Sequence, residues 1–566
     1  MLFLMIGEKN MKLLSYFKRF FVAFSIIITC NCFCVEQNVP RLTVVFVIDQ
    51  LAYRFVQKLR PFLKGEIGFL LEDGLVYENA YYPHSIPTTS TGHVALSTGT
   101  YAKTHGVIRN SWYTAEGKEV YFPAEDSSSS AVFDKNGKPL PYGRSGKRIM
   151  VQGVSDHLVL YPQAGSKNYA IALSLKDRSA VGVAGGLGKA IWFDEKTGCF
   201  TTSKAYFDTM PDWLIDFNKE KRIDEIKTLK WEPLYALTNP AYSFRDSSNY
   251  DFTVYKKSLM GEEVKVYDPS CEDPYEQFTI MPQSNNALLD LAQVCIDNFL
   301  SKQKEDRMIL WVSFSALDKL GHFFGPESVE VIDMIYQLDK NLKNFTKRLY
   351  KEIRKKDVLL VLTSDHGVAP IPELLQKEGL KSALRIDSRK LIQEINQMVI
   401  CKHGIKNFVI NIKPPYVFIN HRLFDPLKTC KKEAIEKEVK EYLEKQPGIK
   451  RVWTYDELQC ETFDKTTIGS FYKNQLFPGR SGHFIVQVFP YCQITKYKTG
   501  TGHYTPYNYN THVPLILYQK GVNEQTVIKE RVSMLQFANT LAEILKIPKP
   551  PASTFDILPG LFSFQL

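Results

Sequence analysis

Four apolar, β-branched runs recur along the chain, and each borders on polar residues that can carry chemistry. The runs are residues 42–48 (LTVVFVI), 308–314 (MILWVSF), 358–363 (VLLVLT) and 513–518 (VPLILY). Continuous apolar runs of this length are typical of strands in a parallel sheet that is covered on both faces. We therefore predict that the four runs are buried parallel strands of one sheet.

Helical patterns separate these strands, as in residues 329–350 and 533–545. Alternation of strands and helices predicts an α/β fold with a mostly parallel central sheet flanked by helices. In such sheets a ligand binds beyond the carboxyl ends of the strands. The polar residues next to the apolar runs are therefore the candidates for a functional site.

Two long stretches interrupt the alternation. Residues 110–300 are rich in Tyr, Ser, Gly, Pro and Lys, and residues 370–500 combine a helical pattern at 431–445 with short strand-like pieces. We interpret both as insertions that cap the sheet of one catalytic domain spanning residues 35–566. A chain of 566 residues is long enough for one such domain with insertions.

The first 34 residues have the features of a signal peptide. A basic stretch that includes Lys18 and Arg19 precedes a largely apolar run of ten residues, 20–29, which is too short to span a bilayer comfortably. We expect export to the periplasm or the medium with the leader cleaved, and a retained membrane anchor is the alternative. After the leader, no run is long and apolar enough to cross a membrane.

The composition argues against two kinds of binding site, one for nucleic acid and one for zinc bound by cysteines. The formal net charge is +10, but the basic residues are scattered and form no block of the kind that nucleic-acid binding needs. The cysteines outside the leader are widely spaced and include no CxxC pair, which argues against a cysteine-based zinc site. Their pairing and the oligomeric state stay open.

Acidic residues and histidines stand together at the predicted strand ends. Asp318 and His322 are four positions apart, so on a helical turn both face one side and can share a metal ion. Asp365 and His366 directly follow a strand, where Gly367 permits a turn that brings both side chains to one ion. Taken singly, each pair is commonly an ordinary helix start or polar loop.

Two further positions complete a set of metal ligands. Asp49 ends the first strand, and either His503 or His512 precedes the last one. With the two pairs above they make six ligand-type residues, which is what two four-coordinate zinc sites with room for substrate require. The combination, rather than any single residue, predicts a centre with two zinc ions.

A segment of hydroxyl side chains, Pro87-Thr-Thr-Ser-Thr-Gly-His93, leads into a helical pattern. The backbone N–H groups at a helix N-terminus favour phosphate, and a zinc ion beside a hydroxyl lowers its pKa and makes it a nucleophile. By itself, the same segment would be an ordinary N-cap.

The order of these motifs, from residue 42 onward, resembles the alkaline phosphatase superfamily. The resemblance is closest to bacterial alkaline phosphatases with a threonine nucleophile, and next to nucleotide pyrophosphatases/phosphodiesterases. In that family the nucleophilic threonine lies four residues before a histidine in a turn into a helix. This spacing implies Thr89 before His93, and it excludes Thr88 and Thr91.

The same resemblance assigns the phosphate-binding residues. A Thr-Gly, His-Gly and Asn run, matched here through Thr98, His105 and Asn110, implies that Asn110 binds a phosphate oxygen. A Lys and an Arg two positions apart mark the monoesterase branch and are matched by Lys176 and Arg178. Two cations suit the dianion of a terminal phosphate, because a guanidinium can bind two of its oxygens.

For the metals, the resemblance divides the six ligands between two zinc ions. One set is Asp318, His322 and His503, and the other is Asp49, Asp365 and His366, with Thr89 bridging toward it. His503 is preferred to His512 because the family's last ligand lies in a Gly-rich turn before the strand. The family often has glycine after this histidine, where this chain has Tyr504.

The implied activity is zinc-dependent hydrolysis of small phosphate monoesters through a phospho-threonine. A phosphodiesterase on the same fold is the nearest alternative, and Lys176 and Arg178 count against it. A sulfatase needs a Cys or Ser at the nucleophile position, which Thr89 excludes. A zinc-stabilised binding protein without catalysis is the alternative of another class.

Overall fold

The computed structural model describes residues 39–220, 231–243, 274–300, 306–522 and 524–561. The predicted leader lies outside these ranges. The strands in the described ranges are β1 (Leu42–Ile48), β2 (Leu75–Tyr81), β3 (Ser111–Tyr113), β4 (Glu119–Tyr121), β5 (Ala124–Glu125), β6 (Ala131–Phe133), β7 (Pro139–Arg144), β8 (Asn168–Ser174), β9 (Lys189–Asp194), β10 (Cys199–Thr201), β11 (Arg307–Phe314), β12 (Val358–Thr363), β13 (Arg385–Asp387), β14 (Val409–Lys413), β15 (Tyr416–Ile419), β16 (Ile449–Thr454), β17 (Phe484–Val488), β18 (Gln493–Thr495), β19 (His512–Tyr518) and β20 (Thr526–Ser533).

The helices in the same ranges lie mostly between strands of the large sheet. They are Tyr53–Leu59, Glu66–Asp73, Thr89–Thr98, Ala102–His105, Ser127–Ser130, Val154–Leu160, Asp177–Ala184, Asp212–Glu220, Pro274–Phe278, Pro282–Phe299, Ala316–Phe324, Val329–Glu352, Pro372–Lys377, Ser388–His403, His421–Phe424, Thr429–Glu444, Tyr455–Cys460, Ile468–Lys473, Asn508–Thr511 and Phe537–Leu545. Short 3₁₀ turns occur at Arg60–Phe62, Pro240–Tyr242, Lys355–Asp357 and Met534–Gln536.

A nine-stranded sheet forms the centre of the molecule, in the order β10-β9-β8-β11-β1-β12-β19-β2-β20. Strands β10 and β19 run antiparallel to their neighbours, and the remaining strands are parallel to one another. The predicted α/β fold with a mostly parallel sheet is thus confirmed.

Strand β1 shows why these segments are apolar throughout. Val44, Phe46 and Ile48 belong to the apolar layer on one face of the sheet, and Val45 and Val47 belong to the layer on the other face. Both layers are covered by helices, so neither set of alternating side chains meets water. A strand buried on both faces needs apolar residues at every position.

The last apolar run has the opposite direction from the one predicted, because β19 pairs antiparallel with both β12 and β2. Its first residue, His512, therefore lies at the edge of the sheet where the parallel strands have their carboxyl ends. The loop that leads into β19 carries His503 to that same edge. Because β19 is antiparallel, His503, which precedes it, lies at the same edge of the sheet as Asp49 and Asp365, which follow β1 and β12.

The first of the two predicted insertions differs from the structure. Residues 168–201 supply β8, β9 and β10 of the central sheet. Within the described part of residues 110–300, the small sheets β3-β4 and β5-β7-β6 stand apart from that sheet. Because β8 and β9 are less uniformly apolar than β1, their composition resembles that of a cap.

The second predicted insertion contains a unit with its own core. Strands β14-β15-β17-β16 form an antiparallel sheet. The helices Ser388–His403 and Thr429–Glu444 contribute to its apolar core, which includes Ile395, Val439 and Val486.

The described residues also bear on membrane-spanning helices and on the cysteines. None of the helices there has the length and apolar character that crossing a membrane demands. The six cysteines there, namely Cys199, Cys295, Cys401, Cys430, Cys460 and Cys492, are free thiols.

Candidate active site

The predicted metal ligands meet at the carboxyl edge of the sheet. Asp49 follows β1, Asp318 lies in the helix after β11, and Asp365 follows β12. One ligand atom each of Asp49, Asp365 and His366 lies within 4.8 Å of the others, and the same holds for Asp318, His366 and His503. His366 thus stands between two groups of acidic and imidazole ligands.

His322 extends the second group. Its Nε2 lies 3.2 Å from Oδ1 of Asp318, four residues earlier on the helix Ala316–Phe324. His503 Nε2 lies 3.7 Å from the same oxygen. The spacing predicted a shared helical face for Asp318 and His322, and the structure brings both together with His503.

The three histidines of the site are oriented in the same way. Each places Nδ1 within hydrogen-bonding distance of a main-chain carbonyl oxygen: Thr501 for His322 (2.7 Å), Gly367 for His366 (2.9 Å) and Pro87 for His503 (2.6 Å). A carbonyl oxygen only accepts, so Nδ1 carries the proton and donates it. Nε2 is then left with its lone pair facing the carboxylates, which is the arrangement of a metal-ligating histidine.

Three buried atoms at the centre lack a hydrogen-bond partner within the described chain: Asp49 Oδ1, Asp365 Oδ2 and His366 Nε2. His366 Nε2 lies 3.3 Å from Asp49 Oδ1 and 3.4 Å from Asp365 Oδ2. All three are acceptors, and buried acceptors without a donor are costly. A divalent cation bound by all three would satisfy them, so the residues present fit a metal site.

The charges of the acids are strongly unequal. Burial, together with the neighbouring carboxylates Asp318 and Asp365, holds the pKa of Asp49 well above its ordinary value. For Asp318, burial acts in the same direction, but Lys176 and His322 outweigh it and hold the pKa well below its ordinary value. Three carboxylates in one buried space repel each other, which favours a bound cation.

The pKa values of two of the three histidines are lowered, whereas for His322 burial is outweighed by Asp318 and the pKa is raised. Burial, and then the neighbouring imidazoles of His366 and His322, lower the pKa of His503 well below its ordinary value. Burial likewise lowers the pKa of His366, with Asp365 opposing the shift. Neutral imidazole is the form that binds a metal ion.

Lys176 reaches the same cluster. Its Nζ lies 2.6 Å from Asp49 Oδ2 and 2.5 Å from Asp318 Oδ2, so it forms ion pairs with one acid of each group. The resemblance assigned Lys176 to phosphate, and its contacts add the role of a counter-charge to two of the predicted ligands. Strand β8 ends at Ser174, and Lys176 is therefore delivered to the edge where β1 and β11 end.

Thr89 is the first residue of the helix Thr89–Thr98, and it is buried. The hydroxyls of Thr88 and Thr91 are engaged elsewhere: they bond to each other at 3.1 Å, and Thr91 donates to the carbonyl of Val107. Among the described residues no hydrogen bond engages the hydroxyl of Thr89, and the buried Oγ of Ser90 also lacks a partner there. Thr89 therefore differs from Thr88 and Thr91 in having an unengaged hydroxyl.

Glycine at position 92 lets this helix approach the metal ligands. A Cβ at Gly92 would lie 2.3 Å from the main-chain oxygen of Asp365. One residue later, His93 is buried, with Nδ1 2.8 Å from the Thr89 carbonyl and Nε2 2.8 Å from the Ser313 hydroxyl. His93 thus anchors the first turn of the helix to β11.

Asn110 supports the start of the same helix. Its Oδ1 accepts a hydrogen bond from the backbone N–H of Ser90 at 3.0 Å. Its Nδ2 makes no hydrogen bond within the part of the chain that is described. That amide group is thereby held beside Thr89 with its donor face available.

Arg178 is held by residues that the sequence did not indicate. Its Nη1 donates to the hydroxyl of Tyr121 at 3.3 Å, and that hydroxyl donates to Asp177 Oδ1 at 2.6 Å. Arg144 Nε lies 2.5 Å from the other oxygen of Asp177. Tyr121 comes from the small strand β4, and no pattern in the sequence links it to a site.

Gln50 is a second residue that sequence reasoning missed, although it directly follows Asp49. It adopts a left-handed backbone conformation, with φ 73°. Its backbone N–H donates to Asp365 Oδ1 at 3.3 Å, and its side-chain amide donates to Asp318 Oδ1 at 2.7 Å. Gln50 thereby joins the carboxylates of both ligand groups.

His512 does not lie among the ligands. It is the first residue of β19, its Nε2 lies 2.7 Å from the carbonyl oxygen of Glu78, and its ring stacks on Tyr81 with 4.3 Å between centroids. The ring of His503, in contrast, stacks on that of His366 at 3.6 Å.

Comparison with known proteins identifies a family model and relatives that this chain matches over most of its length. A family model described as type I phosphodiesterase / nucleotide pyrophosphatase matches residues 43–513. The chain is 28% identical over 535 residues to alkaline phosphatase PhoV of Synechococcus elongatus, which covers 92% of this chain and 93% of that protein. It is 27% identical over 526 residues to alkaline phosphatase PafA of Elizabethkingia meningoseptica, with 90% and 92% covered.

A solved structure has the same fold. The crystal structure of wild-type alkaline phosphatase PafA superposes with a TM-score of 0.79 at 24% identity, covering 92% of this chain and 98% of the other.

Proposed function

This chain belongs to the type I phosphodiesterase / nucleotide pyrophosphatase family, and on that premise we propose that it is a two-zinc phosphatase that hydrolyses phosphate monoesters with Thr89 as nucleophile. The relatives named alkaline phosphatase support a phosphatase activity. The observation that carries the proposal is the set of three histidines whose Nε2 atoms face three buried carboxylates beside a threonine-headed helix.

In the proposed reaction the residues of the chain act in two displacements. The oxygen of Thr89 attacks phosphorus in line with the leaving oxygen, so the ester P–O bond breaks and the alcohol departs. Water then attacks the phospho-threonine, inorganic phosphate is released and the Thr89 hydroxyl is restored. Bound zinc ions would activate the nucleophile and stabilise the charge on the leaving oxygen.

The other residues orient the phosphoryl group and balance its charge. The free Nδ2 of Asn110, beside the helix start, is a donor for one non-bridging oxygen. Arg178, held by Tyr121, is a donor for the others. Preorganised donors of this kind lower the barrier because they stabilise charge in the transition state.

The metals are proposed as zinc, divided as Asp318, His322 and His503 for one ion and Asp49, Asp365 and His366 for the other. A site of three nitrogen and oxygen ligands keeps the open position that catalytic zinc requires. The buried acceptors Asp49 Oδ1 and His366 Nε2 support the second set.

The proposed substrates are small phosphate monoesters in the periplasm or the medium, with no dedicated nucleic-acid partner. The basic and apolar leader supports the location. Fractionation of cells that express the full chain, with mass determination of the mature N-terminus, tests export and cleavage together.

One experiment tests the activity. The zinc-loaded protein is assayed on phenyl phosphate, methyl phenyl phosphate and phenyl sulfate, and its metal content is measured. We expect two zinc ions per chain and the highest catalytic efficiency on phenyl phosphate. Faster cleavage of the methyl diester would favour the phosphodiesterase alternative. Absence of turnover on all three esters would favour the alternative of a zinc-stabilised binding protein without catalysis.

A further inference from the structure

Arg109, one position before Asn110, is a buried arginine without a counter-charge. Its side chain is only 8% exposed. Its Nε and Nη1 are buried and have no hydrogen-bond acceptor among the described residues. No carboxylate in those residues forms an ion pair with it. A buried cation without a partner is costly, so this arrangement requires a compensating role.

Other arginines in the neighbourhood are partnered. Arg178 donates to Tyr121, and Arg144 pairs with Asp177. Arg480 donates to the carbonyl oxygens of Gly106 at 2.7 Å and Arg148 at 2.9 Å. Arg178 also has one buried donor without a partner, its Nε, whereas Arg109 has two, and the side chain of Arg109 makes no hydrogen bond within the described residues.

The guanidinium of Arg109 is connected to the metal ligands through a series of rings. It lies over the ring of Tyr504, 5.1 Å from the centroid. The ring of Tyr504 lies 4.9 Å from that of His503, which in turn stacks on His366. The ring of Tyr504 thus lies between Arg109 and the proposed metal ligand His503.

We propose that Arg109 and Tyr504 form a subsite for a second anionic group on the leaving-group side of the substrate. The inference rests on the proposed phosphatase function. The transferred phosphoryl group belongs beside Thr89 and Asn110. The ring of Tyr504 separates Arg109 from the ligand His503, so Arg109 contacts a more distant part of the ester. A guanidinium binds carboxylate and phosphate with paired hydrogen bonds, and either group would supply the missing acceptor.

The test compares substrates that differ only in the second group. Phenyl phosphate, 4-carboxyphenyl phosphate and 1,4-phenylene bisphosphate are assayed with wild type, Arg109→Gln and Arg109→Lys. Arg109→Gln should lower kcat/KM for the two substituted esters roughly 10- to 100-fold more than for phenyl phosphate, because charge-assisted hydrogen bonds are lost. The loss should fall on KM, as uniform binding predicts. The two substituted esters distinguish a carboxylate from a phosphate preference.

Arg480→Gln is the matched control, because it removes a partnered arginine nearby and should leave the ratio between substrates unchanged. Thermal unfolding of each variant shows whether the fold is retained. An equal loss on all three esters in Arg109→Gln would overturn the proposal and assign Arg109 a structural role.

A binding measurement keeps the inference separate from the phosphatase proposal. Calorimetry with phenylphosphonate and 4-carboxyphenylphosphonate should give tighter binding of the second ligand in wild type, and this advantage should disappear in Arg109→Gln. Equal affinity of wild type for the two phosphonates would overturn the subsite even in an active phosphatase. A wild type that binds both as expected but hydrolyses no ester would overturn only the phosphatase function.

Discussion

The side-chain amide of Gln50 donates a hydrogen bond to Oδ1 of Asp318 at 2.7 Å, and a glycine makes room for it. A Cβ on Gly321 would lie 1.7 Å from Oε1 of Gln50. An alanine at this position would therefore displace the side-chain amide of Gln50 from Asp318. Gln50 and Gly321 act together to hold one carboxylate of the metal site.

This relationship predicts a specific pattern of metal affinity. Gly321→Ala should displace the Gln50 amide and weaken zinc binding about as much as Gln50→Ala, by roughly tenfold, which corresponds to one lost hydrogen bond. The double variant should show little further loss, because both changes remove the same contact. Competition with a fluorescent zinc chelator measures the affinities.

Gly186→Ala is the control for the backbone effect of alanine. A Cβ there would meet only Asp156 Oδ1, at 3.8 Å. Additive losses in the double variant would show that Gly321 and Gln50 act independently.

The identity of the nucleophile predicts one inactive variant among three. Thr89→Ala should abolish turnover while zinc content and thermal stability are retained. Thr88→Ala and Thr91→Ala should keep far more activity and lose about 1 kcal/mol of stability, since their hydroxyls bond to each other. Steady-state rates and metal analysis of all three variants test this assignment. Loss of activity in Thr88→Ala alone would identify Thr88, and not Thr89, as the nucleophile.

Substrate class is predicted to depend on Arg178 and Lys176. Arg178→Ala should lower kcat/KM for phenyl phosphate roughly 10- to 100-fold more than for methyl phenyl phosphate, because only the monoester carries the second charge. Adding Lys176→Ala should deepen the loss on the monoester. Zinc content must be measured in the same samples, since Lys176 also contacts Asp49 and Asp318.

Tyr121→Phe gives an independent check on the same prediction. It removes the hydroxyl that holds Arg178 and leaves the guanidinium in place. We expect Tyr121→Phe to lower kcat/KM less than Arg178→Ala does, and again to lower it more for the monoester than for the diester. Equal losses on monoester and diester in Arg178→Ala would support the phosphodiesterase alternative.

Glu66, far from the site, predicts a dependence of stability on pH. Burial raises its pKa to about 7, and its Oε2 accepts from the Thr346 hydroxyl at 2.7 Å. Because the folded pKa lies above the unfolded value, the contribution to stability is full below the unfolded pKa and is lost as pH rises through about 7.

Glu66→Gln should therefore increase Tm relative to wild type more at pH 8.5 than at pH 5.5, since the amide needs no buried charge. Calorimetry at both pH values, with Glu72→Gln as an exposed control on the same helix, measures the difference. An equal Tm difference between Glu66→Gln and wild type at the two pH values would contradict this prediction.

Local sequence determined four adjacent strands of the nine-stranded sheet, namely β11, β1, β12 and β19. The predicted bounds of β1 and β12 are those observed, and the predicted helix 329–350 is observed as Val329–Glu352. These elements are specified by their own periodicity, because a strand or helix covered on its inner faces must be apolar there. The ligands at the strand ends followed from the same patterns, since parallel strands end at one edge.

The tertiary structure alone decided the remaining features. The sequence favoured parallel strands throughout, but β19 is antiparallel, and residues 168–201 belong to the sheet and not to a cap. The choice between His503 and His512 came from their surroundings, because both are histidines in polar loops. Gln50, Tyr121 and Arg109 were missed because their importance depends on partners far away in the chain. A partner brought in by folding leaves no periodic mark in the local sequence, whereas burial of a strand marks every residue in it.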